Sequence, residues 1–175
     1  SMQTIHALRD IDHDEEICVS YLADVGTPRA GRIAKLYDSF GFTCECSACA
    51  LTDAERTLSD QRRARIGVLG ELIQQAVNGE MVPGGPQFLT RKKTNAIALV
   101  EERLALMDEE GVGGTGWDTM YAACAYSRSI GDKVAATKWA SRAAENARLA
   151  LGRDSDEFQK YAGYIGSRGG KKANK

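Results

Sequence analysis

A chain of 175 residues can form one domain, or one domain with a small appendage. Its 43% hydrophobic and 27% charged residues are an ordinary globular balance, and its net charge of −1 offers no general attraction to nucleic acids or membrane surfaces. No apolar run approaches the roughly 20 residues that a membrane span requires. The first residues lack the apolar stretch of a secretory signal, and the cysteine count of five is odd. Both features favour a reducing, intracellular location in the nucleus or cytoplasm.

Residues 3–24 carry the patterns of short strands. Thr4, His6 and Leu8 alternate with Ile5 and Ala7, and a run of turn-forming residues follows them. Residues 17–21 are rich in β-branched and aromatic side chains and have the length of a strand. A short helix is predicted over residues 31–40, and residues 42–50 are predicted to form a cysteine-bearing loop.

From about residue 51 onward, apolar residues recur at helical spacing. The first of these helices is predicted to stop at Asn78 and Gly79, and a loop follows over residues 81–87. Asp132 is a predicted N-cap for a helix that runs to about Leu151, and Asp154 with Glu157 resembles a capping box. The other four helices carry the stripes Ile66, Leu69, Ile73 and Val77; Ile97, Val100, Leu104 and Met107; Trp117, Met120, Tyr121 and Cys124; and Phe158, Tyr161, Ala162 and Ile165.

The turn at Gly131 and Asp132 resembles the turn of a tetratricopeptide (TPR) unit. Ala136 and Ala143 follow it at positions where small side chains let two antiparallel helices approach closely. An ordinary antiparallel helix pair explains the same residues. In either case, stacked helix pairs offer a groove to a protein partner.

Cys44, Cys46 and Cys49 form a C-x-C-x-x-C pattern that is typical of a metal site. Three thiolates spaced this closely can converge on one tetrahedral Zn²⁺, which takes about four nitrogen or sulfur ligands. The candidates for a fourth ligand are Cys18, His6, His13 and Cys124. Three unligated thiols are the alternative, and a redox role is disfavoured because no thioredoxin-like βαβ pattern surrounds the cysteines.

These patterns together predict an α+β fold that is mostly α. A small strand and zinc-loop region occupies residues 1–50, and a TPR-like array of about five antiparallel helices occupies residues 51–166. Residues 167–175 are rich in glycine and lysine and are predicted to be a disordered basic tail. The basic clusters at residues 62–65 and 91–93 each begin a helix-like segment, so we interpret them as solvated faces and not as a nucleic-acid site.

Two motifs of the first 50 residues resemble a known family. Arg9-Asp10-Ile11, Glu15-Glu16-Ile17 and Ser20-Tyr21 resemble the pattern R-D-I-x-x-G-E-E-I-x-x-S-Y at the C-terminal end of a SET domain. The post-SET signature R-x-x-x-L-x-x-x-[YF]-x-F-x-C-x-C-x-x-C is matched by Arg32, Leu36, Phe40, Phe42, Cys44, Cys46 and Cys49. The helical part looks like the C-terminal domain of SET-and-MYND-type proteins and their fungal relatives.

This resemblance implies protein-lysine methylation with S-adenosylmethionine as the methyl donor. It implies that Tyr21 is catalytic and lines the channel of the target lysine, and that Phe42 walls the cofactor and lysine pocket. It also implies that Cys44, Cys46 and Cys49 bind zinc. The expected substrate is a lysine-bearing protein or peptide, with histones as one possibility.

Two departures from the family pattern qualify these expectations. Asp14 stands where the family has glycine, although aspartate tolerates a left-handed turn. Upstream of the motifs we find no Gly-x-Gly cofactor loop and no Asn-His-x-Cys segment. The chain is therefore expected to be an inactive C-terminal fragment of a methyltransferase, whose strand at residues 17–21 pairs elsewhere or in a dimer. The alternatives are a non-catalytic interaction module with a zinc staple, and a scaffold that retains a decayed SET remnant.

Overall fold

The computed structural model describes residues 5–78 and 96–166 of the chain, and within these ranges every regular element is helical. A short 3₁₀ turn, Gly113–Thr115, precedes the fourth α-helix. The predicted loop at residues 81–87, the basic cluster at residues 91–93 and the tail at residues 167–175 lie outside the described residues. The α-helices are α1 (Arg29–Phe40), α2 (Asp53–Asn78), α3 (Ala96–Glu109), α4 (Trp117–Ser129), α5 (Lys133–Leu151) and α6 (Asp156–Gly166).

The predicted strand region is wrong, and with it the α+β fold class. The described residues before α1 form turns, bends and irregular backbone, and Ile17, Val19 and Tyr21 are 72%, 50% and 57% exposed. A strand exists only when a neighbouring strand satisfies its backbone groups and covers a face of its side chains. No such neighbour lies beside residues 17–21 in the described part of the chain, so their β-propensity is not realised.

α1 begins two residues earlier than predicted, directly after Pro28, and ends where predicted. Gly41 follows the helix in the left-handed conformation, with φ of 74°, and its N–H donates to the Tyr37 carbonyl at 2.9 Å. This is the usual way in which a glycine terminates a helix. It also sets the direction of the cysteine loop that follows.

In the described part of residues 51–166, the helical core is built on α2 to α6, in agreement with the predicted number of about five helices. One cluster of buried side chains joins α2, α3, α4 and α5, and it includes Ile66, Val100, Met107 and Trp139. A second cluster joins α5 to α6 around Tyr161. The α5 face that enters both clusters is dominated by small side chains, which allow close helix packing: Ala136, Ala140, Ala143, Ala144 and Ala147.

The turn between α4 and α5 forms as predicted. Gly131 has a φ of 79°, and the Asp132 side chain accepts a hydrogen bond from the Ala135 N–H at 2.9 Å. These contacts explain the Gly131-Asp132 pattern, whereas the assignment to the TPR class stays a prediction. None of the helices in residues 5–78 and 96–166 combines the length and the apolar character that crossing a membrane requires.

Candidate metal centre and aromatic cleft

One face of α1 holds the cysteine loop in place. Arg29, Arg32 and Leu36 are spaced by three and four residues, so they lie on the same side of the helix. The Arg29 Nε donates to the Cys49 carbonyl at 2.6 Å, and the Arg32 Nη2 donates to the Ala48 carbonyl at 3.3 Å. Leu36 is buried beside them. The spacing of Arg32 and Leu36 in the sequence motif thus corresponds to a helix face that binds the loop.

The loop brings the three predicted zinc ligands together. The Sγ atoms of Cys44, Cys46 and Cys49 all lie within 4.8 Å of one another. A tight turn shapes the loop, because the N–H groups of Cys49 and Ala50 both donate to the Cys46 carbonyl, at 2.8 and 2.9 Å. Sulfur atoms that share a tetrahedral zinc at about 2.3 Å lie roughly 3.8 Å apart. The donor set and its spacing therefore fit a thiolate-bound zinc ion, with small adjustments of the side chains.

The three thiols differ in acidity because of their mutual hydrogen bonds. Partial burial acts to raise the pKa of Cys46, but hydrogen bonds from the Cys44 thiol and the Cys49 N–H outweigh it and lower the pKa. At Cys44 the backbone hydrogen bond with Cys46 acts to lower the pKa, yet burial and hydrogen bonding to the other two thiols raise it. Cys46 is thus the thiol of this pair that ionises more readily.

A fourth ligand is not assembled within the described residues. Cys18 lines the same cleft but does not belong to the sulfur group. His6 lies near Gly152, and the Nδ1 of the exposed His13 is 2.8 Å from the Asp14 carboxylate. Cys124 is completely buried in the helical core. The structure therefore supplies three of the ligands that a tetrahedral zinc ion needs.

The aromatic residues that the resemblance singled out also come together. The Tyr21 and Phe42 rings meet edge to face, with their centroids 5.3 Å apart. The Phe40 ring is 5.1 Å from Tyr21 and 6.5 Å from Phe42, so the three rings form a cluster. Phe40 belongs to the sequence motif, but no role was predicted for it. Its position at the last residue of α1, just before the Gly41 turn, places it beside Phe42.

An open cleft of about 720 Å³ joins the aromatic rings to the cysteines. Residues 16–22 form one wall, and the cysteine loop and α1 form another. An arginine from each of α1 and α2 also reaches this cleft. Its lining includes Cys18, Tyr21, Arg32, Phe42, Cys44, Cys46, Cys49 and Arg63.

A buried ion-pair network that was not predicted from the sequence lies beside the cleft. The Glu110 carboxylate accepts hydrogen bonds from Ser59 at 2.6 Å, from Arg62 at 2.6 Å and from Arg63 at 2.9 Å. Arg63 is 5% exposed, so the interpretation of this arginine as part of a solvated face is wrong. Arg63 also donates to the Val25 carbonyl at 3.2 Å, which ties the irregular N-terminal segment to α2. The position of Arg63 three residues before Ile66 was the available signal for its burial.

Comparison with known proteins supports a relationship with the methyltransferases. The chain is 27% identical over 165 residues to the histone-lysine N-methyltransferase set5 of Schizosaccharomyces pombe, a match that covers 93% of this chain. The chain spans about half of that relative's length, since the match covers 47% of it. No family model matches the chain. The similarity thus extends over both the cysteine region and the helices, and supports the resemblance to SET-domain proteins.

Proposed function

We propose that this chain is the C-terminal part of a protein-lysine methyltransferase of the SET-and-MYND type that uses S-adenosylmethionine, and that it is inactive alone. Residues 1–50 then hold the end of the SET domain and the post-SET cysteines, and residues 51–166 hold the TPR-like domain. The observation that carries the proposal is the edge-to-face contact of Tyr21 and Phe42 in a cleft that also contains the three cysteines.

The chemistry of methyl transfer is consistent with this arrangement. Transfer from a sulfonium to a neutral amine requires alignment and a channel that excludes water, and neither a metal nor a nucleophilic side chain takes part. In the proposal, the Tyr21 hydroxyl orients the amine and Phe42 forms the adjacent wall of the cofactor pocket. The sulfonium methyl group is supplied by S-adenosylmethionine when it is bound.

The exposure of the aromatic cluster supports the proposed inactivity of the isolated chain. Tyr21 is 57% exposed and Phe40 is 53% exposed, so the described residues leave both rings open to solvent. The proposal assigns the missing walls to residues outside this chain. Residues 17–21 then pair with strands from that part of the parent protein, or with a second copy of this chain in a dimer.

Zinc has a structural role in this proposal. Cys44, Cys46 and Cys49 hold the ion, which fixes a loop that contains few apolar residues of its own. Because Phe42 is only two residues from Cys44, the same ion fixes the aromatic wall of the cleft. The proposed substrate is a lysine-bearing protein in the nucleus or cytoplasm, and histones are the first to test because the relative is named as a histone-lysine methyltransferase.

The natural reading frame upstream of Gln3 provides the first test. We expect this upstream sequence to encode an Asn-His-x-Cys segment and a Gly-x-Gly loop. The longer protein is then expected to transfer a labelled methyl group from S-adenosylmethionine to histone lysine, whereas the present chain does not. An upstream frame without these motifs would instead favour a non-catalytic interaction module built on the helical domain.

A substitution in the longer protein tests the role of Tyr21. Tyr21→Phe is expected to lower the rate of methylation by about 100-fold, because the loss of the hydroxyl misaligns the amine. Tyr37→Phe is the matched control, since Tyr37 is an exposed tyrosine on α1 that does not line the cleft. Equal rates for Tyr21→Phe and the unmodified protein would contradict the assignment of Tyr21 as catalytic.

A further inference from the structure

Arg32 is a buried cation without a carboxylate partner among the described residues. It is 8% exposed, and its guanidinium donates to two backbone carbonyls, Thr27 at 3.0 Å and Ala48 at 3.3 Å. Its remaining polar contact is to sulfur, because Nη2 lies 3.8 Å from the Cys49 Sγ. Within residues 5–78 and 96–166, no ion pair joins Arg32 to an aspartate or glutamate.

Arg63, the neighbouring buried arginine, has the carboxylate partner that Arg32 lacks within the described residues. Arg63 is similarly buried, but Glu110 neutralises it through the hydrogen bond described above. Burial lowers the pKa of Arg63, the charge of Arg32 lowers it further, and Glu110 acts in the opposite direction. The two guanidinium groups are therefore close enough to repel each other. Buried charges are normally paired, because removing an ion from water without a counter-charge is costly.

The cysteine cluster can supply the missing negative charge. Three thiolates bound to one Zn²⁺ leave one excess negative charge, and a fourth thiolate would leave two. Cys49 is the buried member of the cluster, at 3% exposed, so its sulfur has little access to solvent that could screen this charge. Among the described residues, the guanidinium of Arg32 donates to this sulfur, and the charge of Arg63 acts on it without a hydrogen bond.

We propose, on the basis of the zinc centre proposed above, that Arg32 is the counter-ion of the zinc–thiolate cluster and donates an N–H···S hydrogen bond to Cys49. Arg32 acts through Cys49 and is therefore a positioning residue of the metal site. It stabilises the metal-bound form of the loop, and the bound cluster in turn neutralises a charge that is otherwise buried without a partner.

Zinc affinity of the purified chain tests this role, measured by competition with a chromophoric chelator. Arg32→Gln removes the charge and is expected to weaken zinc binding by about 10- to 100-fold, the usual effect of losing an outer-shell partner. Arg32→Lys keeps the charge but loses the planar fork, so it is expected to recover part of the affinity. Arg29→Gln is the matched control, because Arg29 binds the same loop through the Cys49 carbonyl and not through sulfur.

A spectroscopic readout distinguishes the contact with sulfur from a general effect on folding. In the Co²⁺-loaded chain, loss of a hydrogen bond to a thiolate is expected to shift the sulfur-to-cobalt charge-transfer band to longer wavelength. This shift is expected in Arg32→Gln, in smaller degree in Arg32→Lys, and not in Arg29→Gln. Circular dichroism of each variant checks that the helices are retained. If Arg32→Gln does not fold, the cobalt bands and zinc affinities of Arg32→Lys and Arg29→Gln are compared with each other instead.

The outcomes separate the two proposals. Wild-type zinc affinity and an unshifted cobalt band in folded Arg32 variants would overturn the role of Arg32 and leave the zinc centre intact. Equal losses in Arg29→Gln and Arg32→Gln would also overturn it, because they would assign the effect to the shape of the loop. A wild-type chain that carries no zinc in native mass spectrometry would overturn both the zinc centre and the role of Arg32.

Discussion

The backbone of Gly26 lies directly against that of Gly67 in the middle of α2. A Cβ atom on Gly26 would be 3.0 Å from both the Cα and the N of Gly67. The Asp24 carboxylate accepts from the Gly26 N–H at 2.9 Å, and Arg63 donates to the carbonyl of Val25. Backbone contact and hydrogen bonding together attach the segment before α1 to the helical core. Residues 16–22 of this attached segment line the aromatic cleft, so these contacts help to hold one wall of the cleft in place.

Gly26→Ala is therefore expected to destabilise the chain by about 1–3 kcal/mol, the usual cost of overpacking. The added methyl group would meet backbone atoms of α2, which cannot move aside as a side-chain end can. Urea unfolding measures the free energy of unfolding. Gly67→Ala is the control, because its Cβ would meet only the Gly26 carbonyl at 3.9 Å, and alanine favours the helix by up to about 1 kcal/mol. Equal destabilisation by both substitutions would contradict this difference in the space available at Gly26 and at Gly67.

Loss of the Glu110 charge is expected to lower the free energy of unfolding by more than Gly26→Ala does. The Glu110 side chain is 4% exposed, and Glu110→Gln would leave two arginines of α2 without their shared carboxylate. Breaking a buried ion pair by removing one partner costs about 3–5 kcal/mol. Glu109→Gln is the matched control, because Glu109 is 59% exposed and lies 3.7 Å from Arg62, an arrangement that contributes at most about 1 kcal/mol. Similar unfolding free energies for the two variants would show that the network contributes little.

The stability difference between the wild type and Glu110→Gln is expected to depend on pH. Burial acts to raise the pKa of Glu110, but hydrogen bonds from Ser59 and Arg62 and the charge of Arg63 hold it below its usual value of 4.5. A depressed pKa in the folded state stabilises the protein above the unfolded-state pKa, and this contribution is lost as the pH falls through the folded-state value.

Unfolding free energies of the two proteins, measured from pH 7 down to acid, test this expectation. Other carboxylates titrate in both proteins, so the difference between the two curves isolates Glu110. The difference should be constant at neutral pH and should shrink below about pH 4.5. A difference that does not change with pH would mean that the carboxylate charge is not what stabilises the network.

Helical periodicity was the most informative signal in the sequence, and its limits have physical causes. The apolar stripes predicted the helices because helix hydrogen bonds are local. The helical region was predicted to begin at about residue 51, but the apolar stripe of α2 begins only at Ile66. The helix itself begins at Asp53, because its buried face continues through the polar residues Ser59 and Arg63. The predicted strand at residues 17–21 was wrong because strand hydrogen bonds are not local: a strand depends on partners distant in sequence. The cysteine spacing correctly predicted a cluster because three ligands within six residues must stay close.

The residue that caps the N-terminus of α6 is not the one that the sequence pattern predicted. Asp154 and Glu157 resembled a capping box, yet the Phe158 N–H donates to the Ser155 hydroxyl at 3.2 Å, and Asp154 is exposed. Ser155→Ala is therefore expected to cost about 0.5–2 kcal/mol of unfolding free energy, and Asp154→Ala much less. Asp132→Ala serves as the positive control, because Asp132 caps α5 with a hydrogen bond from Ala135. A larger loss at Asp154 than at Ser155 would restore the predicted capping box.

The reactivity of the five thiols towards a chromogenic disulfide reagent tests the metal centre directly. Cys18 is exposed, Cys124 is completely buried, and the other three form the sulfur cluster. With zinc bound, Cys18 is expected to be the one fast-reacting thiol, because coordinated thiolates are protected. Chelation is expected to raise the count to four, because the loop opens without its ion and exposes Cys49, which is 3% exposed in the folded loop. Denaturant is expected to release Cys124 as the fifth.

The Cys18→Ser variant makes this count decisive. If Cys18 is free, the variant should show no fast thiol with zinc and three after chelation, with unchanged zinc content. If Cys18 becomes reactive only after chelation in the wild type, and the variant loses zinc, then Cys18 is the fourth ligand and the irregular segment at residues 16–22 closes over the ion. Four fast thiols in a chain supplied with equimolar zinc would contradict a metal centre at Cys44, Cys46 and Cys49.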